Sequence, residues 1–182
     1  TYNNETIRLK ISVITTVFNS ETTVGQAIAS VAAQTYTDVE HLVIEGNSMD
    51  ASVASIKHAS HDRMRLISEP DEGIYDALNK GVQNASGEIL GFVHSDDFLA
   101  HDKVLERIAT EFEDPEVEAV YSDLNYVAQF DTSRVIRRWS TGAFHLKRLK
   151  YGWMPAHPTL YLRRHVYEQY GEYDIDFDIA AD

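Results

Sequence analysis

Asp96 and Asp97 stand side by side at the end of the apolar run 89–93, in the string HSDD. Two adjacent carboxylates suit a hard divalent cation and, through it, a phosphate, because Mg2+ and Mn2+ prefer oxygen ligands and keep positions for phosphate oxygens. A plainer use competes with that one: Asp caps helix N-termini, and carboxylates favour the positive end of a helix. On HSDD alone the capping reading is the better one, and the residues before it shift the balance. Residues 69–81 read EPDEGIYDALNKG, a Pro-Asp-x-Gly turn followed by a helix with Ile74, Ala77, Leu78 and Val82 on one face. Gly87 then closes that helix and a strand begins. A strand that carries paired acids to its carboxyl end delivers them to the crevice where open α/β sheets bind ligands.

The elements that must position these acids alternate along the chain. Residues 10–17 and 39–44 are strand candidates, and between them residues 21–34 place Val24, Ala27, Ile28, Val31 and Ala32 at helical spacing. Asn47, Ser48 and Asp50 supply turn and cap residues for a helix reaching about residue 58. A third strand over 64–68, the Pro-Asp turn and its helix, the strand ending at His94 and a helix over 102–113 complete the series. Ile74 and Leu78 are expected in the core. Such an order predicts an α/β fold: a Rossmann-like, mostly parallel mixed sheet flanked by helices. After about residue 115 the pattern changes to strands in series, over 117–121, 125–130 and 133–139. The last two read as a hairpin turning at Asp131 and Thr132, a smaller antiparallel β addition. The 182 residues are expected to form a single domain, with about 1–100 as a nucleotide-binding half and about 101–182 as an acceptor-side half.

Composition sets bounds on chemistry and partners. Hydrophobic residues at 43% and charged residues at 25% are ordinary for a globular protein. With no cysteine, a metal here would be held by oxygen or imidazole. A net charge of −13 argues against nucleic acid as a partner, since that affinity comes from neutralising phosphates. No apolar stretch approaches the roughly 18 residues of a membrane span, and the start shows no signal-peptide core, so a cytoplasmic location is expected. A local basic cluster, Arg134, Arg137, Arg138, Lys147, Arg148 and Lys150, reads first as solvated surface and second as a peripheral contact with an anionic membrane or substrate.

Several blocks, in order, carry a family resemblance. ISVITTVFNSETTVGQAIASVAAQTYTDVEHLVIEGNSMDAS resembles the opening of the inverting family 2 glycosyltransferases, which have the A-type glycosyltransferase fold. EPDEGIYDALNKG and SGEILGFVHSDD resemble the next two blocks, and PAHPTLYLRRHVYEQYGEYDIDFDIAAD resembles the acceptor-side block. The match covers almost the whole chain and is closest in kind to bacterial enzymes of cell-surface polysaccharide synthesis. It implies an inverting hexosyl or N-acetylhexosaminyl transfer from a nucleoside-diphosphate sugar, a UDP-sugar, to a glycan or lipid-linked acceptor. It also implies Mn2+ or Mg2+ as cofactor, with Asp97 as metal ligand and Asp96 beside the ribose and diphosphate. Thr16, Phe18 and Asn19 fall at first-loop positions of the donor site, and Glu45, Asn47 and Ser48 at the second. Gly46 stands where a second aspartate is customary. Asp71, Gly73, Ile74, Tyr75, Asn79 and Lys80 belong to the segment that lines the donor pocket.

The same resemblance places the catalytic base at Asp182, the end of Ala180-Ala181-Asp182, where the family has a short motif closing in Asp. The chain is accordingly expected to stop just short of a further amphipathic helix. His157, in MPAHP, is an acceptor-side candidate that serves equally well as a loop histidine, and Trp153 is a weaker one, since an aromatic beside prolines is more often packing. Three other readings stand beside this one. A dinucleotide dehydrogenase would show G-x-G-x-x-G after the first strand, and none follows. A nucleotidyltransferase would show a glycine- and base-rich loop where this chain has TTVFNSETT. A nucleotide- or glycan-binding module of the same fold, without catalysis, is compatible with Gly46.

Overall fold

The computed structural model describes residues 8–177. In chain order the elements are β1 (Ile11–Val17), α1 (Val24–Ala32), β2 (Val39–Glu45), α2 (Ser52–Ala59), β3 (Met64–Ser68), α3 (Ile74–Asn84), β4 (Ile89–Phe92) and α4 (Val104–Glu111). There follow β5 (Ala119–Val120), β6 (Leu124–Ala128), β7 (Asp131–Trp139), α5 (Leu146–Leu149), a 3-10 turn at His157–Thr159, β8 (Tyr161–Arg163) and α6 (Arg164–Tyr170). Six strands form one sheet in the order β3-β2-β1-β4-β8-β5, and β6 and β7 pair with each other in a second. The expected mostly parallel mixed sheet with an antiparallel addition is therefore the architecture found.

The strand order explains where ligands can enter. β1 pairs in parallel with both β2 and β4. The chain winds outward from β1 to β3, then crosses back through α3 to start β4 on the other side of β1. At that reversal α3 covers one face, α1 and α4 pack together on the other, and the loops leaving β1 and β4 meet at the carboxyl edge, where open α/β sheets bind ligands. β8 runs antiparallel to β4 and closes the far side.

Why β1 takes the centre is written in its residues. All seven, ISVITTV, are buried, and six are β-branched, as befits a parallel strand covered on both faces. Its buried polar side chains are paired: the Ser12 hydroxyl donates to Glu40 at 2.6 Å, and Thr15 Oγ1 lies 2.9 Å from His41 Nε2. Helix α3 packs directly on this strand. A β-carbon at Gly81 would stand 2.3 Å from Ile14 Cγ2, so glycine is what allows so close an approach. Ile14, Leu42, Ile44, Leu78, Val82, Leu90 and Phe92 form the core on that face.

Three expectations are corrected. The hairpin turns at Gln129 and Phe130 rather than at Asp131 and Thr132, which begin β7, and its ladder is irregular after Tyr126. The strand expected over 117–121 shortens to β5. Ile74 is not core but 51% exposed, because it opens the first turn of α3 on the solvent side, whereas Leu78 is buried as expected.

Candidate active site at the carboxyl edge of the sheet

Asp96 and Asp97 do not cap a helix. The next helix begins at Val104, with Lys103 at its N-cap, and residues 94–97 form a turn in which the Asp97 N–H donates to the His94 carbonyl at 3.0 Å. The two acids are thus held in a loop at the β1/β4 switch point. Asp96 is exposed and Asp97 partly buried. Burial, and then the neighbouring Asp96 charge, push the Asp97 carboxyl up to about 6. A partly desolvated carboxylate beside a second one is short of positive charge, and a divalent cation that shares phosphate oxygens would supply it. The donor set fits such a cation only with ligands added by a diphosphate: among the described residues no group of three or more His, Cys, Asp or Glu side chains is gathered.

A web of short polar contacts joins the loops around this turn. Thr16 Oγ1 is 3.3 Å from His94 Nδ1, and Ser20 Oγ is 2.8 Å from Ser95 Oγ, which ties the exit of β1 to the exit of β4. On the other side, the Asn19 N–H donates to the Ser48 hydroxyl at 2.9 Å, and Met49 N–H donates back to Asn19 Oδ1 at 3.0 Å. Asn19 and Asn47 both take positive φ, 49° and 63°, a conformation that Asn tolerates better than most residues. Phe18 stands at the rim, 58% exposed.

Glu45 has a more internal role than its position suggests. It is fully buried, and its two carboxylate oxygens accept from the Ser48 N–H and the Ser68 hydroxyl. Burial works to raise this carboxyl, but those hydrogen bonds, with one from the Asn47 backbone, outweigh it and hold the group below its ordinary value. Glu45 therefore shapes the 46–48 loop from beneath. The next residue, Gly46, borders Asp71, whose Oδ1 accepts from the Gly73 N–H at 3.1 Å and so folds the Pro-Asp turn.

Lys80 and Asn79 reach in different directions from α3. The Lys80 ammonium donates to the Pro70 carbonyl at 2.6 Å and lies 3.0 Å from Asp76 and 3.6 Å from Glu69, bracing the turn that carries Asp71. Burial works against its charge, yet Asp76 and the other nearby acids keep its pKa above the ordinary value. Asn79 is buried and exchanges two hydrogen bonds with the Tyr173 backbone, at 2.8 and 2.9 Å. It fastens the 171–177 segment to α3 rather than facing the crevice. Tyr75 stacks on Tyr173 with centroids 5.8 Å apart.

That stacking joins His157, an expected acceptor-side residue, to Phe92, His94 and Tyr173, which the sequence pattern did not single out. Phe92, His94, His157 and Tyr173 form one aromatic column: His94 and His157 stack at 5.4 Å, Phe92 and His157 at 5.8 Å, and Tyr173 meets Phe92 and His157 edge-on at 6.0 and 6.1 Å. His157 is in this way brought beside the Asp96–Asp97 turn. It also lines an adjoining cavity of about 460 Å³ with Trp153, Met154, Leu160 and Tyr167, within the size range of ligand pockets. Trp153 itself is anchored, its indole N–H donating to the Thr141 carbonyl at 3.0 Å. A signal for the column existed in the histidine next to SDD and the tyrosine of GEYD, but nothing in the sequence says that they meet. Asp182, the expected base, lies outside the described residues.

Comparison with known proteins agrees with this geometry. The family model described as glycosyl transferase family 2 matches residues 12–171. An uncharacterized glycosyltransferase of Mycobacterium tuberculosis is 34% identical over 176 residues, 94% of this chain and 65% of the relative. A PGL/p-HBAD biosynthesis glycosyltransferase of Mycobacterium bovis is 31% identical over 175 residues, 94% of this chain and 66% of the relative. Among solved structures, a mannosyltransferase from Pyrobaculum calidifontis in complex with GDP-Man and Mn2+ shares the fold with a TM-score of 0.73 at 20% identity, covering 97% of this chain and 50% of its own. S. aureus TarS 1-349 in complex with UDP-GlcNAc does so with a TM-score of 0.71 at 19% identity, covering 96% and 51%. The chain thus spans about two thirds of the length of the curated relatives it matches, and about half that of the solved ones.

Proposed function

Since this chain belongs to glycosyl transferase family 2, we propose that it transfers a sugar from a nucleoside-diphosphate sugar, a UDP-sugar, to a hydroxyl group of a glycan or lipid-linked acceptor in cell-surface glycan synthesis. The observation that carries the reading is the Asp96–Asp97 turn at the β1/β4 switch point, framed by the Thr16, Asn19 and Ser48 loops and by Asp71. Fold relatives with GDP-Man and Mn2+, and with UDP-GlcNAc, support it.

In this reading the nucleoside lies along the exits of β1 and β2, against Phe18, Asn19 and Asn47, with Asp71 on its far side. The diphosphate lies at Asp96 and Asp97. Asp97, helped by Asp96, would hold Mn2+ or Mg2+, which when bound neutralises charge on the departing diphosphate. Gly73, Ile74 and Tyr75 open α3, and Lys80 keeps the Asp71 turn rigid, so the donor meets a pre-set surface rather than one it must order.

His157 and the adjoining cavity take the acceptor side. Asp182 removes the acceptor hydroxyl proton; the oxygen bonds to the anomeric carbon as the bond from that carbon to the diphosphate oxygen breaks, and the configuration inverts. Replacing Asp97 with Asn should abolish Mn2+-dependent transfer, or donor hydrolysis where no acceptor is supplied. Full activity in that variant would sink the assignment. A binding module without catalysis is the second reading, favoured by Gly46 in place of a customary acid; donor binding with no turnover of any nucleotide sugar would support it.

A further inference from the structure

Among the described residues, the β6–β7 ribbon and the segment through α5 are thinly covered. Neither strand joins the six-stranded sheet, and residues 131–138 of β7 are exposed throughout. A two-stranded ribbon has little stability by itself, so a surface this bare invites a partner.

Its side chains define that partner. Between residues 130 and 151 there are six basic residues, Arg134, Arg137, Arg138, Lys147, Arg148 and Lys150, and one acid, Asp131. The whole chain carries −13, so this stretch opposes the charge of everything around it. Large apolar groups are interleaved with the cations: Phe130 at the ribbon tip is 96% exposed, Ile136 66%, Leu146 70% and Tyr151 90%. At the ribbon base the segment that leaves β7 is fastened to the segment that enters β6, where the Thr141 N–H donates to Asp123 at 2.8 Å and the Tyr121 hydroxyl to the Gly142 carbonyl at 3.0 Å.

We propose that this surface docks the protein on an anionic phospholipid bilayer. Cations alone would suit any polyanion. A soluble anionic polymer, however, has no apolar layer to receive Phe130, Ile136, Leu146 and Tyr151, whereas the bilayer interface takes aromatic and aliphatic groups while its headgroups pair with Arg and Lys. The acidic remainder of the chain then orients the molecule, since it is repelled by the same headgroups. Docking stands apart from the sugar-transfer reading, because no residue that carries it is one of the proposed donor-site residues.

The test is flotation of the protein with phosphatidylcholine vesicles that contain or lack phosphatidylglycerol. Binding should require phosphatidylglycerol and fade as salt is raised, because the attraction is screened. Arg134→Gln, Arg137→Gln and Arg138→Gln together should lower partitioning about 100-fold at about fivefold per cation. Phe130→Ser with Tyr151→Ser should lower it by about tenfold at constant charge. Equal binding to neutral vesicles, undiminished binding by the triple variant, or capture by dextran sulfate with no binding to phosphatidylglycerol vesicles would each overturn the proposal. If the variants fail to fold, the wild-type lipid preference and salt response decide it.

Discussion

The Asp71 carboxylate fills the space that a side chain on Gly46 would need: a β-carbon there would sit 2.1 Å from Asp71 Oδ2. The end of β2 and the turn before α3 therefore share one spot at the crevice, and only one of them can present an acid to it. Gly46→Ala should push Asp71 aside at a cost of about 1 kcal/mol, small because a short side chain can swing away, and it should weaken nucleotide binding. In a denaturation cycle with Asp71→Ala, the double variant should lose less stability than the sum of the two single variants. Strict additivity would show that the contact is not what requires glycine.

Asn79 should behave as a structural clamp. Asn79→Ala removes both hydrogen bonds to the partly buried Tyr173 backbone, at an expected cost of about 2 kcal/mol. Proteolysis or amide exchange should then show residues 171–177 opening ahead of the sheet. Donor binding should suffer less than stability; the reverse order would return Asn79 to the donor pocket.

His41 makes stability depend on acid at a place remote from the crevice. Burial first, then the nearby His61 and Arg63 charges, lower its pKa to about 3, against 6.5 for an ordinary histidine. The native state holds it neutral between Thr15 and His61. Its contribution is whole above pH 6.5 and drains away as the pH falls from 6.5 towards 3, where the unfolded chain takes up the proton that the native one refuses. Unfolding measured across that window should show a slope of about 1.4 kcal/mol per pH unit from this residue, flattened in His41→Gln.

Asp97 should lie on the other side of the balance. Its raised pKa means that the charged form is disfavoured in the fold. Asp97→Asn should therefore raise the unfolding free energy at pH 7 by about 1 kcal/mol after allowance for solvent screening, while removing donor turnover. A variant that is both inactive and less stable would mark the residue as structural.

The sequence disclosed the sheet because hydrophobic period and turn residues are local properties. β1 reads as an unbroken buried run, and EPDEG marks the turn before α3 without help from distant residues. Sites made by long-range meeting were hidden. Glu45, placed at the donor site by its motif, is buried against Ser48 and Ser68. Asn79, placed at the donor pocket by its motif, turns to Tyr173, 94 positions away. The Phe92–His94–His157–Tyr173 column joins three loops, and no spacing within any one of them announces it. The hairpin erred at its turn for a related reason: Asp131 and Thr132 have turn-like chemistry, but the irregular pairing after Tyr126 moved the tip back to Gln129 and Phe130.

Binding of a nucleoside diphosphate with a divalent cation at the Asp96–Asp97 turn and the loops beside it is tested most directly by a thermal-shift panel. UDP, GDP and their sugars are added with and without Mn2+ to the wild type and to Asp97→Asn. One nucleotide should raise the wild-type midpoint by about 5–10 °C at about 100 times its Kd, only when Mn2+ is present, and leave the variant unmoved. The absence of any shift across the panel, or a shift that is the same without Mn2+ and in Asp97→Asn, would contradict it.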